Sequence, residues 1–322
     1  MSSHHHKPNV IVTETLAQKC AAWLNQKANV IFCHHENADE LDSLLSEADA
    51  LIVRTYTQIN DDILGKCRKL KVVARAGVGL DNIDFDACQR RGIPVVYTPD
   101  ANTQAVAEYV LGLILDEFRP RISLMYPLDK QAFHQLRQTA IGRQLDQLTL
   151  GIVGLGRIGK RLGKIAHSIG MNLRICDLLP EAELRKSVDL PFAMVDHEQL
   201  YANCDIISLH VDGRPDNRHM INREMLRRFN SDCLLINTSR GMVIDHEALC
   251  EWAQANPAAR IVLDVHDPEP PPPDYPPGKL NNVRLLPHIA ARTDMALENM
   301  SWVVRDVAAV LEGHRPQYPA YA

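Results

Sequence analysis

Three residues with complementary chemistry stand just past apolar runs in the second half of this 322-residue chain. Arg240 follows the run 234–236 within Asn237-Thr238-Ser239-Arg240-Gly241, Glu269 follows 261–265 within Asp264-Val265-His266-Asp267-Pro268-Glu269-Pro270, and His288 follows 283–286 within Leu286-Pro287-His288-Ile289. A guanidinium grips a carboxylate with parallel N–H donors, and an imidazole carries a proton near neutral pH. An acid beside that imidazole orients it and favours its charged form. Each residue alone has a bland alternative: a surface ion pair for Arg240, a solvated loop acid for Glu269, a helix-start or core histidine for His288. Open α/β sheets gather ligands at the ends of their strands, and that shared placement is what groups the three.

A second feature binds rather than reacts. Gly154-Leu155-Gly156-Arg157-Ile158-Gly159 fits G-x-G-x-x-G, a weak pattern alone but a strong one between a buried strand (Leu148, Leu150, Ile152, Val153) and a helical face (Ile158, Leu162, Ile165, Ile169). In that setting Gly154 permits the tight turn, Gly156 lets the main chain approach a pyrophosphate, and Gly159 allows helix to pack closely on strand. Asp177 ends the next strand, where its carboxylate accepts hydrogen bonds from an adenosine ribose. Neither Leu178 nor Leu179 offers a cation for a 2′-phosphate, so NAD is expected over NADP.

These residues need sheets to carry them. Short β-branched runs alternate with amphipathic stretches throughout, which predicts α/β architecture with parallel strands. Five runs, at 10–12, 30–32, 51–53, 72–74 and 95–97, predict one sheet, with a helix near 40–45. Seven more, at 148–153, 173–175, 193–195, 206–209, 234–236, 261–263 and 283–286, predict a larger one. The stretch 103–118 predicts a connecting helix and 295–311 a single terminal helix that returns to the first domain. Seven prolines between 267 and 279 exclude helix and central strand, leaving a stiff loop.

Composition narrows the function classes. With 35 Lys+Arg against 40 Asp+Glu, a formal charge of −5 and no basic run, nucleic acid is not an expected partner. The most apolar stretch, 105–115, is interrupted by Glu108 and is too short for a membrane span. Residues 1–8 lack the apolar core of a secretory signal, and His4, His5 and His6 read as a tag or frayed terminus, so a cytoplasmic location is expected. The eight cysteines form no Cys-x-x-Cys pair, and no metal site or reactive thiol is expected.

From about Val10 to Leu311 the chain resembles the D-isomer-specific 2-hydroxyacid dehydrogenases, because the glycine fingerprint with its Asp and the Asn-Thr-Ser-Arg-Gly, Asp-Val…Glu-Pro and Pro-His segments occur in that family's order. The resemblance implies two doubly wound parallel-sheet domains, with a Rossmann NAD domain at 102–292 inserted into a flavodoxin-like substrate domain at 1–101 plus 293–322. It implies that Arg240 binds the substrate carboxylate and polarises its carbonyl, that His288 is the general acid/base, and that Glu269 keeps His288 protonated for ketoacid reduction. Val78, Gly154, Gly156, Arg157, Ile158, Gly159, Asp177, Val211, Thr238 and Asp264 would contact NAD, Asp264 holding the carboxamide. A homodimer is implied, using helix 103–118 and the segment after it, with Ala105, Tyr109 and Leu113 offered as a second apolar side. Departures are Asp212 near the cofactor and His266 in place of the usual aromatic.

Within that family the chain is most similar to phosphoglycerate dehydrogenases, through Ile52-Val53-Arg54, the run 75–84 and 102–108. Arg54, Arg75 and Gly77 would then contact a phosphorylated substrate, with Arg137 as a candidate third guanidinium. The alternative, that Arg54 and Arg75 pair with Asp81, Asp84 or Glu108, stands beside it. A general hydroxypyruvate/glyoxylate reductase and an NAD-sensing corepressor-like binding protein remain as other readings. No regulatory extension follows residue 322 in this sequence, so feedback through an added domain is not expected.

Overall fold

The computed structural model describes residues 7–127 and 129–320; the histidines at 4–6 lie outside the described residues. Its contacts divide the chain into two compact units, 1–102 with 292–322, and 103–291. The first unit is built on β1 (Asn9–Val12), β2 (Asn29–Phe32), β3 (Ala50–Val53), β4 (Val72–Arg75) and β5 (Val95–Tyr97), in the order β2-β1-β3-β4-β5. All its pairings are parallel. Side chains alternate across the pleat. Val10, Val12, Ile52 and Ala74 pack under helices Gln18–Asn25 and Val304–Leu311, while Ile11, Leu51, Val53 and Val73 pack under Ala38–Leu45 and Phe85–Arg90.

The second unit carries seven parallel strands: β6 (Thr149–Val153), β7 (Asn172–Cys176), β8 (Ala193–Met194), β9 (Ile206–Leu209), β10 (Leu234–Asn237), β11 (Arg260–Leu263) and β12 (Val283–Leu285). Their order is β12-β11-β10-β9-β6-β7-β8, so the chain reverses direction across the sheet between β6 and β9. Such a reversal opens a crevice beyond the strand ends. The central strands are apolar on both faces, as a sheet covered by helices requires. Leu150, Ile152, Ile175 and Ile236 pack toward helices Thr103–Phe118 and Arg157–Ser168, and Val153, Ile207, Leu235 and Ile261 toward His197–Asn203 and His246–Ala255.

Two expectations change. The terminal helix is two helices, Asp294–Ser301 and Val304–Leu311. Between them Trp302, Val303, Arg305 and Asp306 bond to carbonyls three residues back, a tighter turn. Beside it the Ser301 hydroxyl donates to the Leu297 carbonyl and accepts the Ala17 amide. Helix Thr103–Phe118 keeps its bounds, but Ala105 and Leu113 are buried within this chain and do not form a spare face. A run of exposed apolar residues follows it: Ile122, Leu124, Met125, Tyr126, Phe133 and Ile141. No helix among the described residues is long and apolar enough to cross a membrane.

Candidate active site

The glycine turn joins β6 to helix Arg157–Ser168, with Gly156 as the residue that caps it. Gly154 has φ +90°, and a Cβ there would meet the His210 carbonyl oxygen at 2.7 Å, so both conformation and space require glycine. A Cβ on Gly159 would overlap the Gly154 carbonyl, which lets the helix sit tightly against the turn. Around Gly156 nothing lies within 4 Å of a Cβ position, leaving the first-turn amides, which α-helix geometry gives no intrahelical acceptor, open to an anion. Arg157 is exposed there, and Ile158 packs on the core.

Asp177 follows β7 and accepts the Leu155 amide at 2.6 Å and the Leu179 amide at 2.8 Å. Its charge is thereby fixed beside the turn. This combination of an open glycine, helix-start amides and a fixed carboxylate fits an adenine dinucleotide. Val211 touches the turn, its Cγ1 lying 3.2 Å from a Gly154 Cβ position. Thr238 is buried, and its Oγ1 makes no hydrogen bond among the described residues. Asp212 is accounted for: Arg214 grips it through Nε at 2.7 Å and Nη2 at 2.5 Å, and Asn217 adds a third contact, holding its carboxyl below the usual range. It is a closed ion pair within its loop.

Glu269 and His288 meet. The Glu269 Oε1 to His288 Nδ1 distance is 2.5 Å, with side chains 27% and 36% exposed. Burial opposes ionisation of Glu269, but the hydrogen bond and charge of His288 together with His266 outweigh it, and the carboxyl is held below its ordinary value. His288 adopts φ +54°, a left-handed conformation uncommon for histidine. Asp264 secures it: its two oxygens accept the Ile289 and Ala290 amides, each at 2.9 Å. Asp264 is fully buried, and burial raises its pKa against those bonds. The structure thus places Asp264 behind the His288 turn, a role that spacing alone did not indicate.

Arg240 follows β10, where the Asn237 side-chain amide donates to the Arg240 carbonyl at 2.9 Å and Arg240 Nη1 donates to the Ser239 carbonyl at 2.7 Å. Gly241 abuts the main chain at His266 and Asp267, so the Arg240 turn touches the segment leading to Glu269. The three segments therefore form one cluster at the ends of β10, β11 and β12. His210 is half-buried beside β9, its Nε2 2.9 Å from Ser208 Oγ and its Nδ1 shielded from solvent, and this desolvation lowers its pKa to about 4. Burial pushes Cys176 up to about 11 and Cys204 and Cys233 up to about 12, which keeps these thiols protonated at neutral pH.

In the first unit Arg54 and Arg75 end the neighbouring strands β3 and β4. Arg54 is 9% exposed; its Nη1 donates to the Thr15 carbonyl at 3.3 Å, and its Nε is buried without an acceptor among the described residues. Among the described residues no carboxylate forms an ion pair with it. The nearby Glu14 accepts the main-chain amides of Arg54 and Tyr56 instead. Arg75 Nη1 donates to the Ala76 carbonyl at 2.9 Å, and its guanidinium lies over Gly77, where a Cβ would collide with it. Val78 is half-buried just beyond. Arg137 is exposed on helix Lys130–Thr139, which buries none of its residues.

Residues 111–290 match the model of the NAD-binding domain of D-isomer-specific 2-hydroxyacid dehydrogenases. The chain is 34% identical over 305 residues to D-3-phosphoglycerate dehydrogenase of Methanocaldococcus jannaschii, covering 94% of this chain and 57% of that one. It therefore spans little more than half the length of that relative. It is 35% identical over 272 residues to hydroxypyruvate reductase of Thermotoga maritima, covering 84% and 87%. The crystal structure of the TT0316 protein from Thermus thermophilus superposes with a TM-score of 0.83 at 31% identity, covering 97% and 99%.

Proposed function

The chain belongs to the D-isomer-specific 2-hydroxyacid dehydrogenase family, and from that premise we propose that it interconverts a 2-ketoacid and a D-2-hydroxyacid, with NAD as cofactor. The observation that carries this is the 2.5 Å contact between Glu269 and His288, past the ends of β11 and β12 in the sheet whose β6 leads into the glycine turn. NAD, when bound, supplies or takes up the hydride. The chain's own residues do the rest. Arg240 would present its planar fork to the substrate carboxylate and polarise the carbonyl. With Nδ1 of His288 engaged by Glu269, Nε2 is the nitrogen that would give a proton to the ketoacid oxygen or take one from the hydroxyl. An ionised Glu269 favours the imidazolium and so favours reduction.

Of the substrates, 3-phosphohydroxypyruvate and 3-phosphoglycerate suit the site best. The support is Arg54, a buried guanidinium that forms no ion pair among the described residues and follows β3 next to Arg75. Hydroxypyruvate or glyoxylate is the second reading, favoured by the similarity to the Thermotoga maritima hydroxypyruvate reductase. NADH oxidation with a panel of 3-phosphohydroxypyruvate, hydroxypyruvate, glyoxylate and pyruvate tests both. Preference for the phosphorylated acid supports the first reading, and preference for hydroxypyruvate or glyoxylate the second. Failure to turn over any ketoacid favours a binding protein that senses NAD. The exposed apolar residues between 122 and 141 support a homodimer formed through that segment. A monomer by light scattering at micromolar concentration would refute it.

A further inference from the structure

The three segments that carry Arg240, Glu269 and His288 meet at one residue outside the trio. His266 is 6% exposed and lies two residues beyond Asp264. Its main-chain amide donates to Glu269 Oε2 at 3.4 Å, a long bond that folds 267–269 back on the strand exit. Its ring Nε2 lies 2.7 Å from the Leu286 carbonyl, two residues before His288. A carbonyl only accepts, so Nε2 carries the proton. The main chain of His266 and Asp267 rests directly on Gly241, next to Arg240.

The proline-rich loop packs against the ring. It delivers Tyr275, 6% exposed, edge-on to the His266 ring at 5.6 Å and 90°, and the Tyr275 hydroxyl lies 3.1 Å from His246. His266 Nδ1 is buried with no hydrogen-bond partner among the described residues, so Nε2 makes the ring's hydrogen bond. The ionisable groups around this knot are Glu269, Asp267, His246 and Tyr275. Asp267 is occupied by Arg218 at 3.1 Å.

Resting on the reading of Glu269 and His288 given above, we infer that His266 is a positioning residue. Through its ring N–H, its main-chain amide and its contact with Gly241 it holds the segments of His288, Glu269 and Arg240 in register, with Tyr275 as its stop.

His266→Phe keeps a ring against Tyr275 and removes the donor to Leu286; His266→Gln restores an N–H donor. In the phenylalanine variant kcat for ketoacid reduction should fall about tenfold, because small displacements of reacting groups cost rate steeply. KM for NADH should not change. The falling limb of the pH–rate profile should move down by roughly half to one pH unit as the Glu269–His288 contact loosens. The glutamine variant should recover the profile. An unmoved profile in His266→Phe, alongside a shifted one in Glu269→Gln, overturns the inference and leaves the dyad standing. Glutamine behaving like phenylalanine also overturns it. If Glu269→Gln itself leaves the profile in place, the dyad reading falls and this inference with it. Ring-nitrogen NMR of the unsubstituted protein tests the same point without relying on a variant that folds. A proton on Nε2 of His266 supports the clamp, and one on Nδ1 refutes it.

Discussion

Replacing Glu269 by Gln keeps the shape of the side chain and removes one negative charge from a 2.5 Å contact with His288 Nδ1. A hydrogen bond involving an ionised group contributes about 1.5–3 kcal/mol. Both side chains are partly exposed, 27% for Glu269 and 36% for His288, so solvent screening points to the lower end of that range. At about 1.4 kcal/mol per pH unit, a loss of roughly 1.5 kcal/mol displaces the pH–rate profile by about one unit. The direction is fixed by the chemistry. Ketoacid reduction needs a protonated ring, so its falling limb should move to lower pH. Hydroxyacid oxidation needs the neutral ring, so its rising limb should move the same way. Above both midpoints the reduction rate should drop about tenfold, because each unit removes nine-tenths of the protonated form; well below both it should change little. Initial rates of NADH consumption and NADH formation across the pH range, at saturating cofactor, measure both limbs. A rate loss of equal size at every pH, with the limbs in place, would show that Glu269 only supports the loop and would remove it from proton transfer.

Asp177→Ala should narrow the preference for NAD over NADP, since the fixed carboxylate no longer repels a 2′-phosphate; equal kcat/KM for the two cofactors in the unsubstituted protein would refute the premise. Arg54→Ala or Arg75→Ala should lower kcat/KM for 3-phosphohydroxypyruvate roughly ten- to a hundredfold, the loss of one charge-assisted contact, with little change on hydroxypyruvate. An equal loss on both substrates would mean general damage. His210 makes a stability prediction: its pKa falls from 6.5 in the ordinary imidazole to about 4 when buried. The unfolded chain then binds a proton between those values that the folded one refuses, so stability should fall as pH drops from about 6.5 to 4, by at most about 3 kcal/mol. Urea midpoints across that window should flatten in His210→Gln, and an unchanged slope would show that His210 titrates equally in both states.

The sequence by itself determined what is local. The apolar runs, the helix bounds 103–118 and the glycine turn with its following Asp are short-range signals, because burial on a pleated strand and the φ of Gly154 are conditions that neighbouring residues impose. That Arg240, Glu269 and His288 each follow a strand was legible for the same reason. Tertiary structure alone decided which partners those residues take. Asp264, placed by the family resemblance on a cofactor amide, is buried and holds the amides after His288. Asp212, without an explanation in the sequence, is closed by Arg214. Among the described residues Arg54 forms no ion pair with Asp81, Asp84 or Glu108, the alternative that stood beside phosphate binding, and Glu14 turns to main-chain amides. His266 looked like a mere exchange for an aromatic, yet it joins residues 241, 269 and 286. A hydrogen bond is selected by a few ångströms of position, and residues 25 apart in the chain reach that distance only after β11 and β12 pair.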